Sequence, residues 1–431
     1  MLEETLRKLD DGTWEAAVVG LGYVGLPLLV TMARKGVSVM GFDVKPDVVA
    51  SLSRGRSHID DIGDADLAEV SARTRFTSDP SELSQADVIF ICVPTPLAVG
   101  KLPDNSYIER AARDIASAMR PGQIVILEST TSPGTTDNTV LPILGSTGFA
   151  VDEDFLLAYS PERVDPGNAS HRTADIPRVV GGVTPASTAA VEKIYARFVP
   201  SVHAVSNART AETAKLLENT FRWVNIALAN EMAMIARALG VDIWEVVDAA
   251  ATKPFGYMPF YPGPGVGGHC IPLDPYYLQW AARMTGEGTR FIELAEWINT
   301  RMPSVVVDRV QEALNESARS LRESKVLILG VAYKPNISDY RESPALEVIE
   351  LLRRQGAEIS YADPHVRALP EEDLTAVEPT TGAIADADCV LILADHDAFD
   401  YESIVKNARV VVDTRNAIGK RGIRSSNVRT L

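Results

Sequence analysis

Cysteine is scarce. The 431 residues carry three, Cys92, Cys270 and Cys389, scattered along the chain. That is too few for a disulfide framework or a zinc site, and it suits a reduced compartment. The six histidines are dispersed, and no HExxH or HxH spacing argues for a metal. No run of roughly 18 apolar residues occurs, so no membrane-spanning helix is expected. The opening residues, MLEETLRKLDDG, are polar and mixed in charge, unlike a secretory signal; a cytoplasmic protein is the expectation. Basic residues are the minority, 42 against 58 acidic, for a net charge of −16. That field disfavours nucleic acid and anionic membrane as partners. An anionic ligand must therefore be held by local cations and backbone donors. Hydrophobic and charged residues, 46% and 23%, are present in ordinary amounts, enough for a sizeable core. Length sets an expectation of roughly three domains, or two large ones.

The stretch AAVVGLGYVGLPLLVTMARKGVSVMGFDV, residues 16–44, reads as strand, glycine turn, helix and second strand. It holds GxGxxG in the context that gives the motif meaning. Gly20 allows the tight turn, Gly22 lets the backbone approach a pyrophosphate, and Gly25 lets the helix pack on the strand. Tyr23 and Val24 lie between them, where the helix N-terminus offers unpaired N–H groups to phosphates. Asp43 follows Gly25 by 18 residues, placed to accept from an adenosine ribose hydroxyl. A carboxylate there favours NAD over NADP, whose extra phosphate it would repel. Further strands are expected at 87–96, 123–131 and 155–164. VPTP ends the first of these, putting Val93, Pro94 and Thr95 at the edge where doubly wound sheets bind ligands. Cys92, inside VIFICV, reads as a buried hydrophobe.

A long helical pattern runs from about 207 to 240 without proline and stops at Gly240. Its period places Lys215 and Asn219 on one face. A second helical run covers 241–251, followed by the loop KPFGYMPFYPGPGVGGHCIPLDPYYL, 253–278. A loop that long in a chain otherwise economical with loops points to function. It carries Cys270, the one cysteine outside an apolar strand, beside glycines that can form an anion-binding nest. A reactive thiolate needs such positive potential and access to solvent. His269 reads as a structural or ligand-contacting neighbour rather than the base. Residues 325–416 restart the strand–helix alternation, but Gly330 is followed by Val331, Ala332 and Tyr333, not by a second GxGxxG. Cys389, in CVLILA, reads as core. The expected architecture is α/β: two Rossmann-like doubly wound domains, 1–206 and 321–431, joined by a central helical connector, 207–320.

The chain resembles the UDP-glucose/GDP-mannose dehydrogenase family in VVGLGYVGLP (18–27), GFD (41–43), VPTP (93–96), ESTTSPGTT (128–136) and SPERVDPG (160–167). The likeness continues in AKLLENTFRWVNIALANE (214–231), GPGVGGHCIPLDPYYL (263–278) and GVAYKPNISDYRESPA (330–345). It spans almost the whole chain, in order. The resemblance implies oxidation of a sugar C6 alcohol to a carboxylate in two hydride transfers, with two NAD consumed. Cys270 would add to the intermediate aldehyde and carry it through a thiohemiacetal and a thioester that water hydrolyses. Lys215 and Asn219 would stabilise the oxyanions. Asp274 would move protons and activate water, with Thr130 helping to hold the water, and Glu162 is a second acid/base candidate.

Among cofactor contacts the resemblance adds Thr130 and Arg341 to the glycine turn, Asp43 and the VPTP edge. For the substrate it implies Glu162, Lys215 and Asn219, with Phe260, Tyr261 and Gly267 in the loop that would cover the nucleotide. Lys334 and Arg341 would meet ribose or phosphate oxygens, with Arg163 and Arg290 as weaker candidates. A homodimer through the connector is implied, and no metal. The match does not choose the sugar. Arginine outnumbers lysine 31 to 11, which points to a GC-rich bacterium, where dTDP-sugar pathways also occur. UDP- or dTDP-glucose is the expected substrate, ahead of UDP-N-acetylglucosamine or UDP-N-acetylmannosamine. A single-hydride hydroxyacid-type dehydrogenase and a non-enzymatic nucleotide-sugar sensor are the rival classes.

Overall fold

The structure is a computed structural model that describes residues 1–59, 61–163, 175–268 and 270–431. The chain forms two compact units. One comprises Met1–Glu218 and Tyr276–Gly288, the other Asn219–Pro275 and Thr289–Leu431.

The first unit is built on an eight-stranded sheet. Its strands are β1 (Glu15–Val19), β2 (Ser38–Phe42), β3 (Thr74–Thr77), β4 (Val88–Ile91), β5 (Gln123–Leu127), β6 (Phe155–Tyr159), β7 (Arg178–Gly182) and β8 (Val202–Ala204), in the order β8-β7-β6-β5-β4-β1-β2-β3. The order reverses between β1 and β4, the switch point where such sheets bind ligands. Every pairing is parallel except β6 with β7, which run antiparallel, so the outer edge departs from an all-parallel sheet. Successive residues of β1 feed opposite cores: Ala16 and Val18 one face, Ala17 and Val19 the other. That explains an unbroken apolar run in place of alternation. Helix α1 (Gly25–Arg34) follows β1 and buries Leu26, Leu28 and Leu29.

The second unit carries a five-stranded parallel sheet of β9 (Lys325–Leu329), β10 (Glu358–Ala362), β11 (Cys389–Ile392), β12 (Val411–Asp413) and β13 (Val428–Thr430), ordered β10-β9-β11-β12-β13. Cores lie on both of its faces. Both sheets are thus Rossmann-like, as the repeated pattern implied. Helix α2 (Ala208–Ala238) is 31 residues long, and the second helical run is α3 (Ile243–Ala251).

Three features depart from the sequence reading. The strand expected to 164 ends at Tyr159, and Glu162 and Arg163 follow it outside regular structure. The loop expected to 278 ends at Asp274, which opens helix α4 (Asp274–Met284). The third is helix α5 (Arg290–Asn315), which falls within the expected helical connector as one unbroken element although Pro303 interrupts its pattern. The helix nonetheless buries Ile298, Met302, Val306 and Val310, and that apolar stripe outweighs the lost hydrogen bond.

The glycine turn is sterically closed on one side. A Cβ on Gly25 would stand 1.9 Å from the Gly20 carbonyl oxygen. Gly25→Ala is therefore expected to destabilise the first unit by about 3 kcal/mol or more, read as a lower midpoint of thermal unfolding. An unchanged midpoint would refute the packing role.

Candidate functional site

In the first unit the expected residues gather at the carboxyl edge of the sheet. Gly20 turns there with φ 94°, and a Cβ on it would meet the Cys92 carbonyl oxygen at 2.6 Å. Gly22 differs: a Cβ there would meet nothing within 4 Å, so this point of the turn offers bare backbone. Tyr23 is exposed, Val24 half-buried, and Gly25 starts α1. Asp43 follows β2, its Oδ2 accepting from Leu21 N at 3.0 Å and its Oδ1 from Lys45 N at 2.9 Å. An open glycine backbone, a helix N-terminus and a half-buried carboxylate fit the pyrophosphate and ribose of NAD.

Val93, Pro94 and Thr95 continue from β4. The Thr95 carbonyl accepts from the Tyr277 hydroxyl at 2.6 Å, a tie the sequence reading did not anticipate. Thr130 lies three residues past β5, half-buried, whereas its neighbour Thr131 is buried and hydrogen-bonded to Thr135. Glu162 is nearly covered. Its Oε2 pairs with Arg178 Nη2 at 2.7 Å and its Oε1 accepts from Arg163 N at 2.6 Å. Arg163 itself bonds Glu218 (2.8 Å) and the Pro177 carbonyl (2.8 Å), so it serves as a tie within the unit. Lys215, on α2, is 6% exposed, and no ion-pair partner for it occurs among the described residues. The helix is fastened one turn earlier by buried Glu212, which accepts from Thr136 N at 2.9 Å, from the Thr136 hydroxyl at 2.6 Å and from Gly134 N.

In the second unit Cys270 is exposed, while Cys92 and Cys389 are buried. Burial pushes the Cys389 thiol up to about 12, and burial with the nearby carboxylates of Glu128 and Glu162 pushes Cys92 well up. Both stay protonated, as core cysteines should. The Cys270 carbonyl accepts from Asp274 N at 2.8 Å, closing the turn into α4. Asp274 is 3% exposed and accepts from the Asn219 side-chain amide, so two of the expected catalytic residues are in contact. His269 and residues 164–167 of SPERVDPG lie outside the described residues.

The glycines before Cys270 serve close packing. A Cβ on Gly267 would stand 2.6 Å from Tyr333 Cβ, and one on Gly268 2.9 Å from the Tyr333 ring. That is a different use from the anion nest expected. It lays the loop against GVAYKPNISDYRESP, the segment with Lys334 and Arg341. Lys334 is half-buried, and Arg341 is exposed with its guanidinium on Asp339 (2.9 Å) in its own turn. Phe260 meets Phe221 edge-on at 5.7 Å. Tyr261 stacks on Trp244 at 5.5 Å and donates to Asp248 at 2.7 Å, which gives it a packing role. Arg290 is exposed at the first residue of α5.

The UDP-glucose/GDP-mannose dehydrogenase family matches this chain three times: its NAD binding domain over residues 15–199, its central domain over 209–301 and its UDP binding domain over 327–420. The chain belongs to this family. A UDP-N-acetyl-D-mannosamine dehydrogenase of Pyrococcus horikoshii is 39% identical over 93% of this chain and 95% of its own length. An NDP-N-acetyl-D-galactosaminuronic acid dehydrogenase of Ralstonia nicotianae is 37% identical over 95% and 97%. The solved structure of a UDP-D-ManNAc dehydrogenase from Pyrococcus horikoshii superimposes with a TM-score of 0.88 at 38% identity, covering 96% of this chain and 98% of that one. Family membership makes the chain an NAD-dependent oxidoreductase of nucleotide sugars.

We propose Asp43 as the cofactor contact whose charge selects NAD. Asp43→Asn is expected to raise the KM for NAD about tenfold, the worth of a charge-assisted hydrogen bond. It should also narrow the preference over NADP, with kcat little changed, in initial-rate measurements with both cofactors. An unaltered KM would remove Asp43 from the cofactor site.

Proposed function

We propose that the chain oxidises the C6 alcohol of a UDP-N-acetylhexosamine, UDP-N-acetylmannosamine first, to the carboxylate. The named activities of its similar relatives support this sugar class. It replaces the glucose-configured substrate expected from sequence, which those relatives do not support. The observation that carries the chemistry is the exposed Cys270 one turn before Asp274, a buried carboxylate already hydrogen-bonded by Asn219.

NAD, when bound, takes up a hydride in each of the two oxidations. The chain's own groups do the rest. Cys270 Sγ adds to C6 of the first product, an aldehyde, and the oxyanion formed is stabilised by the Lys215 ammonium and the Asn219 amide. A buried ammonium without a counter-charge costs free energy in the resting protein, and an anion arriving on the substrate removes that cost. Oxidation of the thiohemiacetal leaves a thioester on Sγ. Asp274, with Thr130 holding the water, accepts a proton as water attacks C6; the C–S bond breaks and the acid leaves. Glu162 is the second acid/base. Lys334 and Arg341 bind ribose or phosphate oxygens, and Phe260 supplies an aromatic face toward the base.

We also propose that the chain is a homodimer through α2. Leu228, Met232 and Ile235 are exposed at helical spacing along one of its faces, with exposed Leu239 just past its end, an apolar stripe of the kind a second copy covers.

An NADH-coupled screen of UDP-N-acetylmannosamine, UDP-N-acetylglucosamine, UDP-glucose and dTDP-glucose is expected to rank the first fastest, with two NADH formed per sugar. Cys270→Ser should form no acid. One NADH per sugar, or full four-electron oxidation by that variant, would falsify the covalent route. Lys215→Met should lower kcat by about 100-fold while NAD still binds, measured by fluorescence titration. Light scattering should give twice 46.6 kDa, and Leu228→Glu with Ile235→Glu should halve it; a monomeric parent chain would refute the dimer.

A further inference from the structure

Behind Glu162 lies a sealed charge cluster that the chemistry above leaves unused. Its centre is Arg178, the first residue of β7, 1% exposed. Its Nη2 pairs with Glu162 at 2.7 Å, its Nη1 donates to the Pro161 carbonyl at 2.9 Å, and Nη1 stands 3.6 Å from Glu128 Oε2. Glu128 is the residue that follows β5 and is fully buried. Its Oε1 accepts from the Tyr195 hydroxyl, and the Tyr195 ring lies under the guanidinium at 5.6 Å. Its Oε2 is buried without a hydrogen bond among the described residues.

Two carboxylates therefore face one guanidinium, with Glu128 and Arg178 shut away from water and Glu162 at the margin. Among the described residues, the titratable groups that couple to them include the Cys92 thiol, held protonated, and the Tyr195 phenol, which burial and Glu128 push well up. Arg163 contributes its backbone N–H to Glu162, while its guanidinium is engaged by Glu218. The cluster of Arg178, Glu128 and Glu162 carries a charge of −1 when both acids are ionised and zero when one is protonated. Burial raises Glu128 to about 7, against the opposing pull of Arg178. Its charge thus changes within the neutral range, while Glu162, bonded twice, keeps the shorter contact to Arg178.

We propose that Arg178 and Glu128 are positioning residues for Glu162: Arg178 fixes the orientation of its carboxylate, and the charge on Glu128 decides how much of the guanidinium is left for Glu162. The inference rests on the reading of Glu162 as an acid/base. Neither Arg178 nor Glu128 touches the reacting atoms in this scheme. They act on catalysis through Glu162 and hence through its pH dependence.

The test is the pH profile of kcat and kcat/KM for the full chain, from about pH 5.5 to about 9, using the fastest of the four sugar nucleotides above. Glu128→Gln keeps the size of the side chain and an acceptor for Tyr195, but is neutral at every pH. It is expected to move the acid limb of kcat/KM to lower pH by about one unit, since Arg178 then serves Glu162 alone. Arg178→Met is expected to move that limb the other way. Arg178→Lys, which keeps the charge but loses the two-pronged geometry, should lower kcat about tenfold with KM nearly unchanged.

If Arg178→Met fails to fold, as a thermal melt would reveal, Glu128→Gln and Arg178→Lys decide the matter. A limb unmoved in Glu128→Gln together with wild-type kcat in Arg178→Lys, while Glu162→Gln has lost about 100-fold or more, overturns the inference and leaves the role of Glu162 standing. Wild-type rate and profile in Glu162→Gln overturn that role, and the inference with it.

Discussion

In each unit a carboxylate at the end of the second strand holds the turn that leaves the first. Asp43 accepts from Leu21 N at 3.0 Å and Asp363 from Val331 N at 2.8 Å, in both cases the residue after a glycine with positive φ, Gly20 or Gly330. A buried N–H without a partner is costly, so this bond sets where the chain goes on leaving the sheet. What lies beyond depends on it: the open backbone at Gly22 in one unit, the segment with Lys334 and Arg341 in the other. The two copies then diverge. Asp43 remains half-buried beside the glycine turn, whereas Asp363 also meets His396 Nε2 at 3.1 Å, and His396 Nδ1 accepts from Asn336 N at 2.9 Å. Burial works against the Asp363 charge, but His396 and the backbone donors hold it below the usual carboxylate range. The second acid thus meets a side chain as well as backbone donors, where the bonds to the first among the described residues come from backbone N–H groups.

An acidic protein that binds two anionic ligands depends on the state of its few cations more than on their number. Arg163 and Arg341 are engaged by Glu218 and Asp339. Lys215 is buried with no ion pair among the described residues, so its ammonium keeps charge that a ligand can meet. The net charge of −16 is therefore compatible with anion binding: long-range repulsion is screened by salt within about 10 Å, and contact donors act inside that distance.

Much of the fold was legible because its signals are local. The glycine turn, the apolar strands buried on both faces and the unbroken helix to Gly240 each declare themselves within a short window. Cys92 and Cys389 were readable as core for the same reason. Helix α5 as one unbroken element was not, since Pro303 hides a stripe that only packing reveals. The antiparallel β7 was missed because a short RVVGG strand carries no mark of its direction. At the site, residue types at motif positions could be named, but not their partners. Nothing in the sequence says that Arg163 is tied to Glu218, that Tyr261 stacks on Trp244, or that Glu128 and Arg178 stand behind Glu162. One clue was present: Glu128 is a charged residue placed directly after an apolar strand, where an unpaired carboxylate would be costly. The substrate sugar was the least legible feature, since hexose and N-acetylhexosamine differ by a group that no motif encodes.

The distribution of the three thiols has a consequence for the protein under oxidative stress. Cys92 and Cys389 are sealed and kept protonated, so among the cysteines peroxide and electrophiles meet one thiol, that of Cys270. Under the proposed covalent route, the exposure that would let it reach an aldehyde also opens it to the sulfenic acid, from which thiols can restore it, and to the sulfinic and sulfonic acids, from which they cannot. Damage of this kind would silence the enzyme while leaving its cores intact, and a folded protein would be no guarantee of an active one.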